Sequence, residues 1–144
     1  NNNLNPYAFL ITLTHELAHA FVYKKYKNSV FPHGNEWKTT FKSMLLNFMS
    51  PDYFPKDILN ALSLYLKNPK ASTFVDVNLF LALRMYNVYK SFMLLEIKEG
   101  NEFAVSNGRL FFKGPKLRKR FKCIDKKTKK VYLFHPLTEV NIAR

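Results

Sequence analysis

Two histidines four residues apart, with a glutamate directly after the first, lie inside a stretch whose apolar residues recur at helical spacing: His15-Glu16-Leu17-Ala18-His19. Positions four apart share one face of a helix, so both imidazoles can aim at a single point. With Phe9, Leu13, Leu17, Ala20 and Phe21 forming the apolar stripe of that helix, the histidines are expected to be buried. Buried ionisable groups are costly unless a partner takes them up, and a metal ion does so. Zinc accepts imidazole nitrogens at about 2.0–2.1 Å, usually with three protein ligands and a fourth position left to water. Glu16, beside the first histidine, suits a general base rather than a ligand. The alternative is a solvated polar face on an amphipathic helix, and the apolar surroundings argue against it.

The third ligand is expected from the loop that follows. His33 stands 14 residues past His19, between Pro32 and Gly34, where the chain can fold back. Glu36 is the runner-up, and would make the site thermolysin-like. The extended metzincin pattern needs a glycine and a third histidine at positions that hold Val22 and Lys25, so that class is excluded.

The rest of the chain reads as a helical body followed by a small antiparallel β unit, an α+β fold. Asn5-Pro6 is a cap followed by a first-turn proline, opening a helix to about Tyr26. A second helix is expected over 35–49 with Trp37, Phe41, Met44, Leu45 and Phe48 inward. A third follows from Pro55 to about Lys67, and a fourth, capped by Asp76, to about Tyr89. After Gly100 the pattern changes. Residues 102–105 and 109–113 flank Ser106-Asn107-Gly108, a hairpin signal, and residues 117–124 and 131–135 flank a lysine-rich turn at 125–130. The expected division is therefore residues 1–99, a zincin-like body with the active-site helix, and residues 100–144, a basic appendage of about four strands.

Charge is distributed unevenly between these parts. Residues 1–108 carry 11 Lys/Arg against 8 Asp/Glu, whereas residues 109–130 carry 11 against Asp125 alone. An excess of that density attracts a polyanion, most commonly nucleic acid; its alternative is a solvated surface. If residues 117–124 form a strand, Arg118, Arg120 and Lys122 share one face at about 7 Å spacing, comparable to that of phosphates. Lys113 and Lys116 would extend this surface. Phe111, Phe112 and Phe121 are expected in the core rather than stacked on bases, and Cys123 as a small apolar filler. His135, before Pro136, is expected to be structural or exposed rather than a ligand. One cysteine excludes an internal disulfide and fits a reducing, cytoplasmic compartment. No stretch is apolar enough to span a membrane and no leader is recognisable; with Asn rather than Met as first residue, the chain is expected to be a fragment whose N-terminus could carry a leader.

Two runs, Thr14-His15-Glu16-Leu17-Ala18-His19-Ala20 and Pro32-His33-Gly34-Asn35-Glu36-Trp37-Lys38, together resemble the SprT-like family, which includes the Spartan-type DNA–protein crosslink proteases. The resemblance covers about residues 5–49. It implies that His15, His19 and His33 hold one zinc ion per chain and that Glu16 is the catalytic carboxylate. It also implies association with DNA, and hence a possible nucleoid location. Many bacterial relatives end in a zinc ribbon with paired cysteines, which Cys123 alone cannot form. The expected function is a zinc metallopeptidase acting on DNA-associated protein. The rivals are a nucleic-acid-binding module with a structural metal and a general cytosolic peptidase.

Overall fold

The computed structural model describes residues 4–73, 76–88 and 91–142. The chain divides into two compact units, residues 1–88 and 89–144. The division falls 11 residues before the expected one at 99/100 because a short strand at Phe92–Met93 belongs to the sheet.

Among the described residues, the first unit contains four α-helices: α1 (Pro6–Tyr26), α2 (Asn35–Leu46), α3 (Lys56–Tyr65) and α4 (Val77–Arg84). Asn5 caps α1 by accepting from the Ala8 N–H at 3.0 Å. Its own amide donates to the Leu83 carbonyl and to Asn87, so the start of α1 is tied to the end of α4. Asp76 caps α4 through the Leu79 N–H. Lys24 and Lys25 occupy the last turn of α1, where cations are favoured by the helix dipole. The core joins Ile11, Ala18 and Val22 of α1 to Trp37, Phe41 and Leu45 of α2, with Ile58, Leu62, Leu79 and Leu83 from the later helices.

The buried face of α1 differs from the expected one. Ile11, Thr14, Ala18 and Val22 point inward, whereas Leu13 and Leu17 are exposed, as are Phe9 at 55% and Phe21 at 61%. The helix is apolar on several sides, so periodicity alone did not identify the packed side. Ala18, fully buried, lies on the face that packs into the core. Helix α4 also stops short of Tyr89: Tyr86 lies past its end, exposed, and donates to Asp57.

The second unit is a six-stranded antiparallel sheet in the order β1-β6-β2-β3-β4-β5. Its strands are β1 (Phe92–Met93), β2 (Glu102–Ala104), β3 (Leu110–Lys116), β4 (Phe121–Asp125), β5 (Val131–Phe134) and β6 (Glu139–Ile142). The four expected strands are β2 to β5; β1 and β6 are additional. One face buries Phe103, Phe111, Phe121, Cys123 and Val140, with Leu94 and Ile97 from the turn after β1. The phenylalanines Phe111 and Phe121 are thus core, whereas Phe112, opposite Ile124, lies half-buried on the other face; Cys123 is the buried filler expected. His135 is structural, its Nδ1 accepting from the Leu137 N–H. Between β3 and β4 the register shifts, a bulge, and Gly114 lies so close to β4 that a Cβ would fall 2.2 Å from the Lys122 carbonyl oxygen.

Candidate metal centre

His15 and His19 project from the middle of α1 and meet His33 from the loop before α2. Their Nε2 atoms form a triangle: 3.1 Å between His15 and His19, 3.0 Å between His19 and His33, and 3.3 Å between His33 and His15. Three ring nitrogens at this separation cannot all be satisfied by sharing protons among themselves. Bonds of 2.0–2.1 Å in a tetrahedron place ligand atoms about 3.3 Å apart, so this donor set fits a zinc ion. Among the described residues, these three are the ligand-type side chains whose donor atoms converge. Glu36 does not join them; it lines a separate depression with Phe21, Val22 and Lys25. The geometry therefore favours His33 over Glu36.

Gly34 has an ordinary φ of −76° and serves by its size, since a Cβ there would press on Phe31 and Glu36 at 3.3 Å. The Gly34 N–H donates to the Phe31 carbonyl, closing the turn that presents His33. Behind the site lies Trp37, fully buried. Its indole centroid is 4.8 Å from His15, 4.8 Å from His33 and 5.4 Å from His19, and its Nε1 donates to the His15 carbonyl at 3.3 Å. One side chain thus backs all three rings. Periodicity placed Trp37 on a core stripe; its place four residues after His33, in the run 32–38 that carries the resemblance, is the signal that it also reaches the site.

Burial lowers the pKa of both His15 and His33, and the neighbouring His19 lowers each further. Both are therefore held neutral at pH 7, the form that offers a lone pair to a metal. Glu16 stands just outside the triangle, its Oε1 3.9 Å from His15 Nε2 and its side chain largely exposed. It opens onto a cleft of about 210 Å³ lined by Ile11, Thr12, Phe41, Tyr65 and Thr73. Tyr65 donates its hydroxyl to the Lys70 carbonyl, which ties down the chain after α3, and burial pushes its pKa up to about 12.

The expected basic surface is rearranged. Residues 117–120 form a turn, closed by the Leu117 N–H on the Arg120 carbonyl, so Arg118 and Arg120 do not share a strand face with Lys122. β3 runs through Gly114 and Pro115 to Lys116, further than expected, and the turn moves with it. Lys113 is 6% exposed, donates to the Ile97 carbonyl and lies 4.0 Å over the Phe121 ring. It therefore faces the core and leaves the candidate nucleic-acid surface. Lys116, Arg118, Arg120 and Lys122 are exposed.

No helix among the described residues is long and apolar enough to cross a membrane. No curated protein and no solved structure matches the chain. The model of the SprT-like family matches residues 4–55, about a third of the chain, a segment that carries both histidines of α1, the His33 turn and Trp37.

Proposed function

We propose that this chain is a zinc-dependent metallopeptidase with a zincin-like site, in which His15, His19 and His33 hold the ion and Glu16 is the catalytic carboxylate. The observation that carries this reading is the convergence of three Nε2 atoms within 3.3 Å, with a glutamate at their edge. Zinc, when bound, supplies Lewis acidity, polarising a carbonyl oxygen and making water acidic near neutral pH. Glu16 accepts the proton of the attacking water and returns it to the amine as the carbon–nitrogen bond breaks. Trp37 fixes the imidazoles from behind, and the cleft beside Glu16 gives the peptide access. The substrate class is protein associated with DNA, supported by the exposed Lys116, Arg118, Arg120 and Lys122 and by the net charge of +13. The buried, unpaired Cys123 suits a cytoplasmic setting.

The test is cleavage of a DNA-binding protein with and without DNA by zinc-loaded protein. Glu16→Gln should lower the rate by about 10²–10⁴-fold while leaving zinc content unchanged. Undiminished cleavage by Glu16→Gln would overturn the assignment.

A further inference from the structure

Among the described residues, the sheet ends on an open strand. β5 pairs with β4 on one side and is the last strand in the order. The turn between them is closed by the Asp125 N–H on the Lys130 carbonyl at 2.9 Å, which fixes the hydrogen-bonding alternation along the hairpin. With the register Cys123↔Tyr132 and Phe121↔Phe134, those pairs exchange the hydrogen bonds. The N–H and C=O groups of Val131 and Leu133 therefore point away from β4, towards the open edge.

The side chains of the same two residues lie on the outer face of the sheet. Val131 is opposite Ile124 and Leu133 opposite Lys122, and facing residues share a side. Val131 and Leu133 are each 52% exposed, and Ile124 is exposed beside them. Edge strands usually carry charge, proline or a bulge that discourages pairing. This one instead presents two aliphatic residues. The opposite edge, β1, has only two residues.

The surroundings define what could pair here. Glu102 is taken up by Lys126 at 2.7 Å and Asp125 by Arg109. Among the described residues this leaves Lys122, Lys129 and Lys130 around β5 without a carboxylate partner. The residues of β5 on this face offer no ring for base stacking, and the ring of Phe112, beyond Ile124 on β3, is half-buried, whereas the aliphatic side chains match the alternate side chains of an added strand. We propose that the β5 edge is a docking site for an extended acidic peptide, which adds antiparallel to β5 as a seventh strand. Its aliphatic residues would face Val131 and Leu133, and its acidic residues would lie beside the lysines of the β4–β5 turn. This inference does not depend on the histidine site.

The test uses the full chain labelled with ¹⁵N and the synthetic peptide Glu-Glu-Val-Thr-Val-Glu-Glu. Amide shifts should map to Val131, Leu133 and their neighbours, with a Kd on the order of 100 µM, as suits a contact far below a standard interface. Residues facing Val131 and Leu133 in the added strand donate their own N–H groups to β5. N-methylation of the two peptide valines should therefore weaken binding at least about tenfold, whereas N-methylation of the threonine should not. Val131→Lys/Leu133→Lys adds positive charge and removes the aliphatic contact. Strand addition predicts weaker binding by this variant; purely electrostatic attraction predicts tighter binding. The methylated pair, read on the unaltered chain, decides the matter even if that variant does not fold. Absence of saturable binding, indifference to valine N-methylation, or tighter binding by the lysine variant would each overturn the proposal. So would a seven-residue oligothymidylate that binds with the same dependence on Val131 and Leu133, which would make the edge a nucleic-acid surface.

Discussion

The two units use buried aromatic side chains for different purposes. In residues 1–88, Trp37 and Phe41 stack at 5.0 Å, and the indole faces three imidazoles. In residues 89–144, Phe103, Phe111 and Phe134 pack on one another, and the ammonium of Lys113 lies over the Phe121 ring. The first core ends in a ligand set; the second ends in a sheet. Charge follows the reverse pattern, with a net +4 on residues 1–88 and +9 on residues 89–144. Ligand-type side chains converge where net charge is lower. The more basic unit has no such cluster among the described residues. This separation suits a molecule in which one part holds the reacting centre and the other attracts a partner.

Truncating each aromatic core should separate the two roles most sharply. Trp37→Ala and Phe111→Ala each remove a fully buried ring and should cost about 3–5 kcal/mol in denaturant unfolding. Only Trp37→Ala should also weaken zinc binding in competition with a chelator, and Trp37→Phe should restore part of it. Equal loss of zinc affinity in Phe111→Ala would remove the distinction between the units.

The basic surface gives a smaller effect. Arg118→Ala/Arg120→Ala/Lys122→Ala should reduce the slope of log affinity for DNA against log salt by up to ~3, with little dependence on DNA sequence. Lys113→Met should leave that slope unchanged, because this lysine faces Phe121 and the Ile97 carbonyl. A slope that responded to Lys113→Met and not to the triple variant would place the contact elsewhere.

The smallest effect is one of pH. The Thr128 N–H, the Arg109 guanidinium and the Lys127 N–H hold the Asp125 carboxyl at about 2, below its usual 3.8. A depressed carboxyl stabilises the fold above its unfolded value, so this contribution is complete above pH 3.8 and is lost as pH falls through about 2. Melting temperatures between pH 5 and 2 should fall less steeply for Asp125→Asn than for the unaltered chain. Parallel curves would show that the turn does not depend on this charge.

The helical unit was legible in the sequence where local chemistry acts alone. Asn5-Pro6 and Asp76 mark helix starts because caps are local, and the His15/His19 spacing implies a shared face because the helical repeat is fixed. The buried side of α1 was not legible, because Leu13 and Leu17 are as apolar as Ile11 and Val22. Tertiary packing of Ala18 and Trp37 decided between them. In the sheet, the Asn107-Gly108 turn was legible, with Gly108 at φ +85°. The β3–β4 turn was not, since a bulge near Gly114 moves it and removes Arg118 and Arg120 from the strand. Strands β1 and β6 pair residues 46 positions apart in sequence (Met93 with Glu139), and nothing local announces such a pair.

Three imidazoles, from α1 and the His33 turn, are placed to hold one metal ion. Elemental analysis of purified protein tests it most directly, on the unaltered chain, His15→Ala/His19→Ala, His33→Ala and Glu36→Ala. The geometry predicts about one zinc per chain in the unaltered protein and in Glu36→Ala, little in His33→Ala, and none in the double variant. Full zinc occupancy in His15→Ala/His19→Ala, or loss in Glu36→Ala with retention in His33→Ala, would contradict it.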